Sequence, residues 1–196
     1  MPSTRDRLVT AANEQFRRHG YHGTSLKAVT TAADATIGSL YHFFPGGKDE
    51  LAAVALEESG ATYLELFGAI AVDAGDTVSA VRAFFGGAAD VLEATDFVEI
   101  CPIGTVAREV ASTNEPLRLA TDRVFTSWTG ALGLRLRRDG LDDARAASLA
   151  TTVVAALEGG FLLARASRDG DALRDIGGHV AGVVERELAS VRAGGG

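Results

Sequence analysis

Apolar residues recur at intervals of three and four along nearly the whole chain, as they do on one face of an amphipathic helix. Leu8, Ala12 and Phe16 show this spacing in the first segment, which Ser3 can cap with Asp6 at the third helical position. No segment alternates apolar and polar residues as a half-buried strand does. The pattern predicts an all-α fold of about nine helices.

Turn-forming residues separate the helical segments. The breaks fall at Gly20, 34–35, 45–47, 73–77, 95–102, 112–116, 138–143 and 167–171, and we expect residues 193–196 to fray. Lys48 opens a long segment with Asp49 and Glu50 in its first turn, where the helix dipole favours acidic side chains. We therefore expect a small N-terminal domain, residues 1–47, here called the head, and a larger body, residues 48–196.

The composition is that of an ordinary globular protein, with 46% hydrophobic and 23% charged residues. The single cysteine, Cys101, excludes an internal disulfide framework and suits a reducing compartment. No uninterrupted apolar run approaches the roughly 20 residues that a membrane helix needs. Charged residues at 5–7 stand where a secretory leader would need its apolar stretch. These features predict a soluble, cytoplasmic protein without a membrane partner.

The net charge of −7 is unevenly distributed. The head has five basic and three acidic residues, a balance of +2, whereas the body has 14 basic and 23 acidic residues, a balance of −9. A mildly basic head suits local contact with phosphates, although a balance of +2 is also compatible with random scatter. The charge permits binding to DNA and does not establish it.

Residues 25–44 predict two short helices joined by a tight turn, which is the helix-turn-helix arrangement. Thr24 or Ser25 can cap the first helix, and Thr36 can cap the second. The second helix of such a motif lies in the major groove of DNA, so its exposed N-terminal surface must be small and polar. Gly38 and Ser39 meet that requirement.

Three residues beyond this surface are suited to phosphate contact. Tyr41 and His42 lie at the far end of the second helix, where a hydroxyl and an imidazole can reach the DNA backbone. Lys48 opens the next helix and offers both a charge and free backbone amides. Leu40 and Phe44 are expected to face back into the core of the head.

The first part of the chain contains the runs 7–8, 19–21, 24–25, 38–44 and 48–51, with Ala12 and Phe16 between them. On these residues, about the first 55 of the chain resemble the TetR/AcrR family of repressors. The runs 45–48, 101–104, 157–160 and 163–165 are similar to the LmrA/YxaF-like subgroup. By position, the resemblance assigns DNA contact to Thr24, Ser25, Thr36, Gly38, Ser39, Tyr41, His42 and Lys48.

Two positions depart from the family pattern. The turn between the two short helices usually has glycine where this chain has Asp34, which tolerates the left-handed conformation less easily than glycine. The residue before Gly38 is commonly basic, and here it is Ile37. Ile37 could contact a thymine methyl group, in which case it joins the DNA-binding set, or it could weaken DNA binding.

The last two long segments are 144–166, which is rich in alanine, and 171–191, which has an apolar stripe close to a heptad pattern. They could form a dimer interface or could pack only within their own chain. The resemblance implies a homodimer formed by these helices, with a ligand pocket among the middle helices. We expect the pocket to be apolar and to be lined by Phe67, Phe84, Cys101, Trp128 and Phe161.

Other chemistry has little support in the sequence. Gly47-Lys48 lacks the flanking glycine and hydroxyl residue of a phosphate-binding loop. The four histidines have no metal-ligand spacing, and no catalytic triad or carboxylate pair is evident. We therefore predict a protein that is not an enzyme and needs no cofactor or metal, and we expect Cys101 to be a buried core thiol.

The combined prediction is a homodimeric repressor that a small hydrophobic effector releases from palindromic operator DNA. The head, 1–47, would bind DNA, and the body, 48–196, would bind ligand and form the dimer. The alternative is a dimeric helical ligand-binding protein whose DNA binding is weak or lost, which Asp34, Ile37 and the acidic total charge make conceivable.

Overall fold

The computed structural model describes residues 2–194, and this part of the chain forms nine α-helices and no strand. The helices are α1 Thr4–His19, α2 Leu26–Ala32, α3 Ile37–Phe43, α4 Lys48–Ala74, α5 Thr77–Ala94, α6 Pro102–Val110, α7 Glu115–Arg138, α8 Asp143–Ser167 and α9 Asp171–Gly194. The all-α prediction is confirmed. Of the end expected to fray, residues 193 and 194 belong to α9, and 195–196 lie outside the described residues.

Helix caps account for several of these boundaries. Ser3 and Asp6 form the predicted capping box, in which each side chain accepts a hydrogen bond of 3.1 Å from the other residue's backbone amide. Asp76 caps α5 by accepting hydrogen bonds from the backbone amide and hydroxyl of Ser79, and these bonds lower the pKa of the Asp76 carboxyl. A cap supplies partners for amides that a helix leaves unpaired at its start, so the chain can begin each helix at a defined residue.

The chain divides into two compact units by its internal contacts. Among the described residues, unit 1 comprises 2–62 together with Ile100–Val124, and unit 2 comprises Tyr63–Glu99 and 125–194. Unit 1 thus contains α6 and the first part of α4 as well as the head. The functional division into 1–47 and 48–196 stays a prediction.

The core of unit 1 contains the apolar stripe predicted for α1, since Leu8, Ala12 and Phe16 are fully buried. Leu40 and Phe44 are also buried, as expected from their positions in the helix-turn-helix. Burying these side chains holds the three helices of the head together, because α2 and α3, with seven residues each, are not stable alone in water.

In unit 2, α9 packs against α5 and α8. The contact with α5 is close at Gly177, where an added Cβ would lie 2.3 Å from the Cβ of the buried Phe85. Arg174 of α9 pairs with Glu93 and Asp90 of α5, each at 2.7 Å. Its hydrogen bonds lower the pKa of the Glu93 carboxyl. Shape and charge therefore both specify how these two helices pair.

Helix α8 is unusually apolar. Within the described residues it is long and hydrophobic enough, by length and composition, to cross a membrane, with a mean hydropathy of 1.6 over 18 residues. The sequence prediction considered only uninterrupted apolar runs and therefore did not single out this helix, whose average hydropathy is high. A single helix of this kind is weak evidence for a membrane. Only 33% of that window is buried within the chain, so much of its apolar surface has no cover in one copy.

Candidate nucleic-acid interface

The turn between α2 and α3 adopts the left-handed conformation that glycine usually provides. Asp34 has a φ of +47°, which costs a non-glycine residue roughly 1–2 kcal/mol. Arg7 of α1 offsets this cost, because its guanidinium donates to the backbone carbonyls of Ala33 at 2.9 Å and of Asp34 at 3.3 Å. The departure at Asp34 therefore preserves the turn of the helix-turn-helix.

Thr36 caps α3, as predicted from the sequence. Its hydroxyl accepts a hydrogen bond of 3.0 Å from the backbone amide of Ser39 and lies 2.9 Å from the Ser39 hydroxyl. Ser25 caps α2 in the same manner by accepting from the amide of Ala28 at 3.1 Å. Both caps are exposed, so they hold the ends of the two helices and remain open to solvent.

The outer face of α3 is exposed along its whole length. Ile37 and Tyr41 are each about half exposed, at 50% and 51%, and Gly38 and His42 are exposed beside them. An added Cβ on Gly38 would meet no atom closer than the Thr36 hydroxyl oxygen, at 3.7 Å. Packing within the chain therefore does not require glycine at position 38, although glycine costs an exposed helix up to about 1 kcal/mol relative to alanine.

Lys48 lies at the start of α4, beyond a sharp turn at Gly47, whose φ is +69°. The Lys48 ammonium stands 4.1 Å from the centroid of the Tyr21 ring, which is within cation–π distance. Partial burial lowers the pKa of this ammonium, while the nearby Asp49 and Glu109 act in the opposite direction. The charge is thus held in a defined place at the edge of the head.

Thr24 differs from the other predicted contact residues because it is only 3% exposed. Its hydroxyl donates to the carbonyl of Gly20 at 2.7 Å, and its amide donates to the carbonyl of Tyr21 at 3.2 Å. These bonds hold the connection between α1 and α2, so Thr24 supports the motif from inside. The described exposures instead place Ser25, Thr36, Ile37, Gly38, Tyr41 and His42 on the outside.

Unit 1 contains a polar network that was not predicted from the sequence, and we call it the Asp49 network. The Asp49 carboxylate accepts hydrogen bonds from the Tyr21 hydroxyl and, at 2.9 Å, from the Asn114 side-chain amide. Burial and this hydrogen bond raise the pKa of Tyr21, so the phenol stays a donor. Close by, Glu109 of α6 accepts from the backbone amide of His22 at 2.8 Å. The network ties the α1–α2 connection to the start of α4 and to α6–α7.

Three of the predicted ligand-binding residues take part in aromatic pairs within unit 2. Phe67 and Phe84 contact edge to face with ring centroids 5.5 Å apart. Trp128 contacts both Tyr63, at 6.0 Å, and Phe125, at 5.7 Å, in the same geometry. Tyr63 and Phe125, which contact Trp128, are not among the residues predicted from the sequence to bind ligand.

The other two predicted pocket residues are Phe161 and Cys101. Phe161 is half-buried on α8 of unit 2. Cys101 is 4% exposed, as expected for a core thiol, and it belongs to unit 1 at the start of α6. Among residues 2–194, no group of three histidine, cysteine or carboxylate side chains is arranged to hold a metal ion.

The capped turn, the buried inner face of α3 and its exposed outer face together define a helix-turn-helix that can enter a DNA groove. Such a motif at the N-terminus of a larger helical chain is typical of helix-turn-helix transcriptional regulators. Comparison with known proteins agrees. Residues 8–55 match the family described as bacterial regulatory proteins, tetR family, and residues 77–179 match the C-terminal domain of LmrA/YxaF-like transcriptional regulators.

The chain belongs to the TetR family, in the LmrA/YxaF-like group, and it is a transcriptional regulator with the DNA-binding domain of that family, not an enzyme. It is 32% identical to the regulator YxaF of Bacillus subtilis (strain 168) over 85% of this chain and 87% of YxaF. It is 30% identical to the regulator LmrA of the same organism over 93% of this chain and 97% of LmrA.

Solved structures share the fold. A TetR transcriptional regulator from Legionella pneumophila superposes with a TM-score of 0.81 at 21% identity, over 93% of this chain and 98% of that one. The TetR-family regulator CifR, as a cysteine mutant complexed with 26-bp operator DNA, has a TM-score of 0.73 at 24% identity, over 96% and 98% of the two chains.

Proposed function

We propose that this regulator is a homodimeric repressor that binds a palindromic operator through α3 and is released by a small hydrophobic effector. The observation that carries DNA binding is the exposed face of α3, above all Gly38. Glycine there weakens the helix without relieving any contact inside the chain. It does leave room for the helix backbone to approach a duplex closely. CifR, which shares the fold of this chain, has been solved in complex with operator DNA.

The case for a homodimer rests on α8. Its apolar window is largely unburied within one chain, and Leu162 and Leu163 are 52% and 56% exposed. A second copy of the same helix would cover this surface, and a two-fold dimer is the commonest symmetric assembly. Two heads related by a two-fold axis would read two half-sites, so the operator would be palindromic.

The proposed effector site is the group of aromatic pairs in unit 2, formed by Tyr63, Phe67, Phe84, Phe125 and Trp128. Aromatic side chains of this kind favour a hydrophobic ligand, and the acidic body disfavours an anion. Helix α4 is continuous from Lys48, at the proposed DNA surface, to Ala74. A ligand beside Phe67 could therefore shift the position of Lys48, and the coupling would act equally in both directions.

The test of DNA binding is the substitution Gly38→Ala, with Gly87→Ala as a matched control. Gly87 is an exposed helical glycine on α5 that also has no atom near an added Cβ. Both substitutions should raise the free energy of unfolding by about 0.5–1 kcal/mol, because alanine favours the helix. Only Gly38→Ala should weaken binding to the DNA upstream of the protein's own coding sequence, by about tenfold or more in a band-shift titration at fixed salt.

The alternative, a helical ligand-binding dimer without DNA binding, predicts the same gain in stability but a different result with DNA. In that case the wild-type chain and both variants bind the upstream fragment no more tightly than a scrambled duplex. Equal DNA affinity of Gly38→Ala and wild type would remove the exposed face of α3 from the interface.

A further inference from the structure

The exposed face of α3 has an unusual chemical composition for a helix that reads DNA. Ile37–Phe43 contains no arginine, lysine, asparagine or glutamine. Those are the side chains that make paired hydrogen bonds to the edges of guanine and adenine in the major groove. The helix must therefore obtain any sequence preference at its N-terminal end from other contacts.

Hydrogen bonds within the head reduce the choice further. Thr36 and Ser39 are bonded to each other through their hydroxyls, and Thr36 also accepts the Ser39 amide. The guanidinium of Arg7, next to the turn, is bonded to the carbonyls of Ala33 and Asp34. The polar groups at this end thus use part of their hydrogen-bonding capacity to maintain the motif.

Ile37 is the largest exposed side chain on the first turn of α3. It is 50% exposed, although a β-branched aliphatic side chain gains nothing from contact with water and is not a strong helix former. Its neighbour Gly38 has no side chain, so the surface beside Ile37 is bare backbone. An isoleucine next to a glycine can approach the floor of the major groove, where thymine alone among the four bases presents a methyl group.

We propose that Ile37 recognises the C5-methyl group of a thymine in each operator half-site, and that this apolar contact is a main source of sequence preference at the N-terminal end of α3. The inference rests on the proposed DNA-binding function. The group that Ile37 contacts in the major groove is a methyl group, and the contact involves no hydrogen bond to a base edge.

The experiment starts from duplexes that the full chain enriches from a random library. In the enriched duplex, each thymine is replaced in turn by deoxyuridine, which removes only the C5-methyl group. We expect one thymine in each half-site whose replacement weakens binding about fourfold, or about fifteenfold when both half-sites are changed, which is the effect of exposing about one buried methyl-sized group per site.

The variant Ile37→Ala connects this loss to the residue. Ile37→Ala should bind the unmodified duplex as weakly as the wild type binds the deoxyuridine duplex, and deoxyuridine should weaken it no further. The control is His42→Ala, an exposed substitution at the other end of α3, which should keep the full deoxyuridine penalty. Both variants are on the surface, and circular dichroism verifies that they fold.

The outcomes separate the inference from the function on which it rests. If sequences are enriched but every deoxyuridine penalty is the same in wild type and Ile37→Ala, the methyl contact is wrong and DNA binding stands. If the chain enriches no sequence at all, the proposed DNA-binding function is wrong, and the inference falls with it.

Discussion

The Asp49 network can be tested by exchanging its acid and its amide. Asn114 caps α7 through its side-chain oxygen, which accepts from the Leu117 amide at 3.1 Å, and donates through its nitrogen to Asp49 at 2.9 Å. Asn114→Asp keeps the cap but places one carboxylate against another. Asp49→Asn keeps an acceptor for the Tyr21 hydroxyl but places one amide nitrogen against another.

The expected cost of Asn114→Asp has two parts. Loss of a hydrogen bond to a charged group costs about 1.5–3 kcal/mol, and repulsion between two partly exposed carboxylates adds about 1 kcal/mol. We therefore expect the free energy of unfolding to fall by about 2.5–4 kcal/mol near neutral pH. A proton bound between two carboxyls restores a donor to the pair, so the loss should shrink as the pH falls and grow as it rises.

The double variant Asp49→Asn/Asn114→Asp restores the donor–acceptor pair with the two groups exchanged. Aspartate caps a helix as well as asparagine does, so the double variant should recover at least half of the stability lost by Asn114→Asp. Urea unfolding followed by circular dichroism measures all four proteins of this cycle. If the two single losses add within about 0.5 kcal/mol in the double variant, the two residues do not interact in solution and the reasoning is refuted.

Three further predictions concern unit 2. Gly177→Ala should be less stable than Gly87→Ala by about 1–3 kcal/mol in urea unfolding, because both gain helix propensity but only the first forces a Cβ against Phe85; equal stabilities would contradict the close α5–α9 contact. Val183→Glu should give monomers by analytical ultracentrifugation, since it places a charge on the half-buried face of α9; a stable dimer would locate the interface elsewhere. A hydrophobic compound that releases DNA should quench the fluorescence of Trp128, the single tryptophan. Half-maximal quenching should need a higher concentration of the compound when operator DNA is saturating; equal concentrations with and without DNA would exclude the proposed coupling.

The structure distinguishes Val183 from Val180 on α9, which the sequence does not. The apolar stripe of the last helix includes Val180 and Val183, and its spacing gives no reason to prefer one for a dimer contact. In the structure, Val180 is only 6% exposed within its own chain, whereas Val183 is half-buried. A charge at Val180 would therefore disturb the packing of the monomer, and only Val183 tests the interface.

Local signals in the sequence were sufficient for the fold class and for most of the head. The capping box at Ser3 and the cap at Thr36 depend on residues three positions apart, and the buried stripe of α1 depends on a period of 3.6. The burial of Leu40 follows from the same periodicity in α3. These features were predictable because the residues that interact are neighbours along the chain.

The exposure of a residue and its distant partners were decided only by the tertiary structure. Thr24 has the polar side chain expected of a DNA-contact residue, yet it is buried, and its hydroxyl donates to the carbonyl of Gly20. Arg7 compensates for Asp34 from 27 residues away, and Asp49 meets Asn114 across 65 residues. Local periodicity contains no information about such pairs, because they form only when packing of the apolar faces has already brought separate helices together. The sequence alone therefore determined which helices form and which of their faces are apolar, while the packing of those faces determined which polar groups meet.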